Sequence, residues 1–343
     1  MTMHVAFFTQ GHNVPASRFR VDQIVPALRE HVQCTVLPAR PSVYGDIGNV
    51  RGGWRVFAKP LSVVDRVRSL DVAKDADVVY LQRPLTEYFT AVMERRLARS
   101  KPMVFDFDDA IFHNRWGLEA RKIRSIIGAS SHVVAGNAYL AAFADAPAKT
   151  TIIPTVVDTD RYTPRPDPDG PFTIVWTGMS HNLKELAPYA DAIRRVLAET
   201  GGRMLIAADA LDAPFLDGVP IEFVKWSPET EVTALAAGHV GVMPLADTPY
   251  NRGKCAFKLI QYMARGIPVV ASPVGANTEV VREGQDGLFA RTVDEWAEGL
   301  MTFARDRDLR ARYGRSGRER IEQAYSVRAV VPRYLEVLRA VAR

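Results

Sequence analysis

Two stretches of this chain open in the same way. HVAFFTQG (4–11) and TIVWTG (173–178) are each an apolar, β-branched or aromatic run that ends on a glycine and leads toward a helical pattern. Around the first, strand-like runs recur at 3–9, 34–39, 77–82, 102–107, 132–137 and 151–156, with amphipathic helical stretches between them such as 20–31 and 85–100. The run RPDPDGP (165–171) is dense in turn formers. After it the alternation restarts: 172–180, a helical stretch over 184–199, then strands at 204–208, 221–226, 240–245 and 267–272. Alternation of this kind specifies parallel sheets wrapped by helices. The expected architecture is α/β, with two doubly wound Rossmann-like domains, residues 1–165 and 171–325, facing each other across a cleft. The helical stretch 326–343 is expected to return to the first domain. Ligands of such sheets bind outside the carboxyl ends of the strands.

The 343 residues are 47% hydrophobic and carry a net charge of +5, an ordinary globular composition. The excess is uneven: residues 1–165 hold 22 Lys and Arg against 16 Asp and Glu, and 166–343 hold 22 against 23. An anionic partner of the first half is therefore expected. No helix-turn-helix, zinc or RNA-binding signature accompanies the charge, so nucleic acid is not expected. Two cysteines, Cys34 and Cys255, form no framework, which suits a reducing cytoplasm. The N-terminus lacks the charged-then-apolar pattern of a secretory signal.

Residues 253–275, GKCAFKLIQYMARGIPVVASPVG, place Lys254 and Lys258 four apart where a helix is expected to start. A helix N-terminus disfavours cations and attracts anions. The pair is either a solvated face or the two sides of an anion site, with Gly253 allowing close backbone approach.

The same stretch resembles glycosyltransferase family 4, the group 1 glycosyltransferases, a retaining family with the GT-B fold. QYMARGIPVVASPVG, then TEVV (278–281) and GQDGLFA (284–290), are similar to the family's helix–strand signature and the two short motifs after it. TIIPTVVDTDRYTP (151–164) and WTGMSHNLKEL (176–186) match two further landmarks. The resemblance implies a donor diphosphate held without a metal by Lys184, Lys254 and Lys258. The family's paired glutamates fall on Gly253 and Gln261, and its arginine on Met179. Gln261 can still reach a ribose hydroxyl or be a plain helical glutamine; Gly253 cannot replace a carboxylate.

KPMVFDFDDAIFHNRW (101–116) puts Asp106, Asp108 and Asp109 at a strand's carboxyl end. Asp108 falls about where the family has a histidine beside the donor sugar, so a sugar or acceptor contact is expected there, with helix capping as the plain alternative. A phosphatase of the haloacid dehalogenase type, using Asp106 and Asp108, is a further alternative. In the first loop, Gly11 is expected to let backbone approach the sugar or β-phosphate, and Arg18 and Arg20 to meet acceptor or phosphate; His12 is expected to be solvated.

Together these imply retaining transfer of a sugar from a nucleotide diphosphate donor to a hydroxyl acceptor, in cell-surface polysaccharide or glycolipid synthesis. No cofactor or metal is expected. A non-catalytic GT-B-like subunit that binds a nucleotide or glycan is the rival, supported by Gly253 and Met179. The stretch 51–69 mixes Trp54, Phe57, Leu61 and Val64 with Arg51, Arg55, Lys59, Arg66 and Arg68. It reads either as an interfacial segment at an anionic membrane surface, where a lipid-linked acceptor is presented, or as an amphipathic helix with a basic outer face.

Overall fold

The computed structural model describes residues 2–12, 14–42, 54–86, 90–113 and 117–342, with side chains of the first long helix from residue 61 onward. The chain divides into two units. Unit 1 comprises Met1–Val156, Gly253–Cys255 and Val327–Arg343; unit 2 comprises Val157–Arg252 and Ala256–Ser326.

Unit 1 contains β1 (His4–Thr9), β2 (Gln33–Pro38), α1 (Trp54–Val72), β3 (Val78–Gln82), α2 (Val92–Ser100), β4 (Met103–Phe107), α3 (Leu118–Ala129), β5 (His132–Ala135), α4 (Ala138–Ala144) and β6 (Thr150–Ile152). The strands form one parallel sheet in the order β2-β1-β3-β4-β5-β6. Both faces are covered, which is why the strands read as continuous apolar runs rather than alternating ones. Ala6, Phe8, Val79, Leu81 and Phe105 pack with Leu97, Ile123, Ile126 and Leu140 from α2, α3 and α4. Val5, Phe7, Tyr80 and Val104 face the other way and meet Val330, Tyr334 and Leu338 of the C-terminal helix, Val327–Val341.

Unit 2 repeats the plan with β7 (Thr173–Thr177), α5 (Ala190–Thr200), β8 (Arg203–Ala208), β9 (Ile221–Lys225), β10 (Val240–Met243), α6 (Phe257–Ala264), β11 (Val269–Ala271), β12 (Gly287–Phe289), α7 (Val293–Arg305) and α8 (Arg307–Ala324). Its parallel order is β12-β11-β10-β7-β8-β9. Ile174 and Trp176 pack on Ile193, Trp296, Leu300 and Phe303, while Val175 packs on Leu259, Ile260 and Tyr262.

Three expectations change in detail. The helix over 20–31 is a π-helical turn, Arg18–Asp22, followed by a short helix, Val25–Leu28. Pro26 has no N–H for a continuous helix and begins a new one instead. Pro188 acts likewise in 184–199: a 3₁₀ stretch, Ser180–Tyr189, precedes α5. The division falls at Val156–Val157, and 165–171 lies inside unit 2 rather than linking the units. The reason is anchoring. Asp167 receives a bidentate pair from Arg310, and the Pro168 carbonyl accepts from His239 Nε2.

Candidate functional site

In each sheet the chain reverses its winding once, between β1 and β3 in unit 1 and between β7 and β10 in unit 2. The crevice outside the carboxyl ends at such a reversal is where doubly wound sheets bind ligands. Of the sequence-predicted residues, Gly11 follows β1, Asp108 follows β4, Lys184 follows the turn that ends β7, and Lys258 lies beside that turn.

In unit 1, β1 runs into Gly11, whose φ of 131° suits glycine alone. A Cβ there would lie 2.2 Å from Ser42 Oγ. The space that the missing side chain leaves is filled by Ser42, so the expected approach of a ligand to Gly11 is corrected. His12 is exposed and Arg18 half-buried, its guanidinium 4.8 Å from the Phe19 ring centroid.

Arg20 is a second correction. It is fully buried in a bidentate pair with Asp106, 3.1 Å from Nε to Oδ2 and 2.5 Å from Nη2 to Oδ1, and Nη1 donates to the Ile153 carbonyl at 2.7 Å. Burial pulls the guanidinium toward neutrality, but Asp106 outweighs it and the pKa is raised. An arginine with every face satisfied holds the sheet together and offers nothing to a ligand. The same pairing removes Asp106 as a phosphatase nucleophile.

Arg66 is a third. Rather than facing outward on α1, it is buried and donates to the carbonyls of Leu85, Leu37 and Thr9. Burial lowers its pKa to about 10. Three strand-end carbonyls converge there, and a guanidinium is the side chain with enough donors to satisfy them. Of the rest of 51–69, Arg51 and the side chains of Trp54, Arg55, Phe57 and Lys59 lie outside the described residues. Leu61, Val64, Val67 and Val72 are exposed on α1.

Asp108 sits at the carboxyl end of β4, mostly buried. Its Oδ1 accepts from Arg83 Nε at 2.9 Å and Nη2 at 2.8 Å, and Arg83 Nη2 also reaches Asp109 Oδ2 at 2.6 Å. Arg83, just after β3, is a residue that sequence reasoning misses. Its φ of 63° is a left-handed conformation costly for a side-chain-bearing residue. It directs the guanidinium from the end of β3 to both carboxylates at the end of β4. The one signal in the sequence is QRP (82–84) at a strand end, a weak one.

Gly253–Cys255 belongs to this unit. Asn137 caps α4 by accepting from Leu140 N, and its Nδ2 donates to the carbonyls of Gly253 and Lys254 at 3.2 and 3.0 Å. Cys255 Sγ donates to the Asp108 carbonyl at 2.9 Å. A Cβ on Gly253 would lie 2.4 Å from Ala110 Cβ and 2.9 Å from its nitrogen. No carboxylate fits at 253. Lys254 acts on Asp109, opposing the upward pull of burial on that carboxyl's pKa.

In unit 2, the helix bearing Lys258 starts only at Phe257, with Ala256 left-handed at its N-cap. The two lysines therefore do not share a helix face as their spacing suggested: Lys254 is in unit 1 and Lys258 in unit 2. Lys258 Nζ lies 5.3 Å from the ring centroid of the buried Trp176. A Cβ on Gly178, φ 151°, would be 2.7 Å from Lys258 Cε and 3.0 Å from Nζ. The ammonium thus lies on the bare backbone turn that ends β7, oriented by a cation–π contact. Lys184 is exposed on the 3₁₀ stretch leaving that turn. Its neighbour Glu185, also missed by sequence reasoning, accepts from Ala246 N at 3.0 Å and Asn251 Nδ2 at 3.3 Å, tying the β7 loop to the β10 loop. Ser180 N and Oγ donate to Asp209. Gln261 is buried, and its Nε2 donates to Tyr162 Oη at 2.7 Å. That answers the plain-glutamine alternative, since the side chain is not on the surface.

Residues 171–306 match the family model described as Glycosyl transferases group 1. No curated protein matches the sequence. Among solved structures, the chain is similar to Anabaena Alr3699/HepE in complex with UDP and glucose, at 16% identity and TM-score 0.71, covering 99% of this chain and 100% of that one. It is similar to sucrose-phosphate synthase (tll1590) from Thermosynechococcus elongatus, at 14% identity and TM-score 0.75, covering 99% of each. The apo form of the lipopolysaccharide outer core galactosyltransferase WaaB matches at 11% identity and TM-score 0.63, over 98% of this chain and 99% of that one. The fold is GT-B, and residues 171–306 are a group 1 glycosyltransferase domain.

Proposed function

We propose that this protein transfers a sugar from a nucleotide diphosphate donor to a hydroxyl acceptor with retention of configuration. The observation that carries the reading is Lys258, seated on the Gly178 turn at the reversal point of a group 1 domain. As the C1–O bond breaks, negative charge grows on the leaving diphosphate. A positioned ammonium, Lys184 just after the Gly178 turn and the amides at the start of α6 stabilise that charge, so no metal is required. Asp108, held by Arg83, is assigned to a sugar or acceptor hydroxyl, and Arg18 to the acceptor side. HepE has been solved in complex with UDP and with UDP-glucose, which makes a UDP-sugar the first donor to try.

A lipid-linked acceptor at an anionic membrane surface is proposed as the setting, in polysaccharide or glycolipid synthesis. Its support is the exposed apolar row Leu61, Val64, Val67 and Val72 on α1 together with the basic excess of residues 1–165. Among the described residues no helix is long and apolar enough to cross a membrane.

A panel of UDP-, GDP-, ADP- and TDP-sugars tests the reading, with melting temperature and donor hydrolysis measured in EDTA. One nucleotide series should raise the melting temperature and be slowly hydrolysed. Absence of both with every donor overturns it. Binding without turnover selects the rival, a non-catalytic subunit, which the lack of room for a carboxylate at Gly253 favours.

A further inference from the structure

Unit 2 has a cavity of ≈ 350 Å³ at the opposite end of its sheet. Gly238 and His239, which lead into β10, and Gly266–Pro268, which lead into β11, line it. It therefore opens at the amino ends of the strands, away from the Gly178 turn. Five arginines line it: Arg165, Arg265, Arg310, Arg315 and Arg318. Only two carboxylates do, Asp167 and Glu319.

Two of the arginines are satisfied. Arg310 is paired with Asp167 and donates to the carbonyls of Phe303 and Ala304. Arg318 reaches Glu322 and the carbonyls of Tyr162, Ala264 and Thr159. Arg265 is different. It is 92% buried, since only 8% is exposed, and Nη1 donates to Thr163, but buried Nε has no partner. Arg165 Nη2 is likewise buried without a partner. Asp167 already serves Arg310 and Arg307. Buried guanidinium donors without acceptors are costly and rare. Here burial and mutual repulsion also push Arg265 toward neutrality, with Arg165 and Arg318 both acting against it.

We propose that this cavity binds a small phosphorylated metabolite, its phosphate oxyanion accepting from Arg165 and Arg265 with Arg315 at the mouth. An oxyanion supplies the acceptors and the negative charge that the cluster lacks, and guanidinium suits it in geometry. The volume exceeds a lone phosphate and is in the range of small-molecule sites. Nothing in the proposed transfer reaction uses this end of the sheet, so the site is a second one, for a ligand that acts on the enzyme rather than being consumed by it.

Calorimetric titration of the full chain with inorganic phosphate and with pyrophosphate, at constant ionic strength set by chloride, tests this. To separate the cavity from the donor side, the titrations are repeated in a Lys184→Ala/Lys258→Ala background. One equivalent of pyrophosphate should still bind there, and Arg165→Gln should weaken it at least tenfold. Arg265→Gln should do the same; should it fail to fold, Arg165→Gln alone decides, being half-exposed and bonded to nothing. In chloride, Arg165→Gln should melt no lower than its parent. No binding in the double-lysine background, or binding that both arginine changes leave intact, overturns the proposal.

Discussion

The buried arginines of the two units are handled in opposite ways. In unit 1, Arg20 has Asp106, Arg66 has three carbonyls and Arg83 has two carboxylates. Each of these three guanidiniums fastens strand ends to one another. In unit 2, Arg310 and Arg318 are fastened too, but Arg165 and Arg265 keep buried N–H groups without partners. The difference separates charge that builds the fold from charge that recognises something else. Both kinds look alike in sequence. Arg20 was expected at a ligand because it follows a glycine loop, and the structure assigns it to the core.

The largest expected effect breaks the first half of this comparison. Asp106→Ala leaves Arg20 charged, buried and unpaired, and should cost about 3–5 kcal/mol of stability. Chemical denaturation reads it; a loss near zero would show that water replaces the carboxylate and that the pair is not structural. Next in size are Lys258→Ala and Lys184→Ala, which should each lower transfer by about 10²–10³-fold, roughly 2.7–4 kcal/mol of transition-state stabilisation. Their melting temperatures should hold. Near-normal rates for both would move the diphosphate elsewhere.

A third change probes Gly253, the position on which the resemblance puts one of the family's paired glutamates. Gly253→Ala forces a Cβ against Ala110 and should destabilise unit 1 by about 1–3 kcal/mol, the usual cost of overpacking. Gly253→Glu should not increase transfer. A gain in rate would mean that 253 faces open space, contrary to the 2.4 Å approach to Ala110 Cβ.

The smallest effect is a pH dependence in unit 2. His239 Nδ1 accepts from Thr173 N and Nε2 donates to the Pro168 carbonyl, a pattern that requires the neutral ring. Burial lowers its pKa below the ordinary 6.5. The unfolded chain therefore takes up the proton first. The contribution of His239 is fully present above 6.5, declines as pH falls below that value, and is lost once pH passes the folded pKa. Melting temperature across about pH 5–8 should show this slope, and His239→Gln should flatten it. An unchanged slope assigns the dependence to other groups.

The fold was legible because parallel strands covered on both faces leave unbroken apolar runs, and because each unit restarts with strand, glycine and helix. β12 was missed as a strand, since Gly287–Phe289 is only three residues and is defined by pairing with β11. Helix limits failed where proline sits inside an amphipathic pattern, at Pro26 and Pro188. Of the candidate site, local features alone were legible, such as the glycine turn at Gly178 that ends β7; the start of α6 was not, because the left-handed Ala256 delays it to Phe257. The site was not legible where partners are far apart in the chain. Arg20 and Asp106 are 86 residues apart, and Gly253 meets Ala110 across a longer gap still. Arg83 was invisible for a different reason: its left-handed backbone is set by the tertiary structure, and nothing in QRP requires it.

The C-terminal helix has a consequence for how the protein is made. Its Val330, Tyr334 and Leu338 complete the same core as Val5, Phe7, Tyr80 and Val104. During synthesis the segment up to Val156 leaves the ribosome with one face of its sheet covered only in part, by Val21, Ile24, Val25 and Leu28, and it stays so until Val327–Val341 follows. Unit 2, made in between, has all its own strands and helices before unit 1 does. The order of completion is thus the reverse of the order of translation, and the earliest part of the chain is the part that waits longest with apolar surface in contact with water.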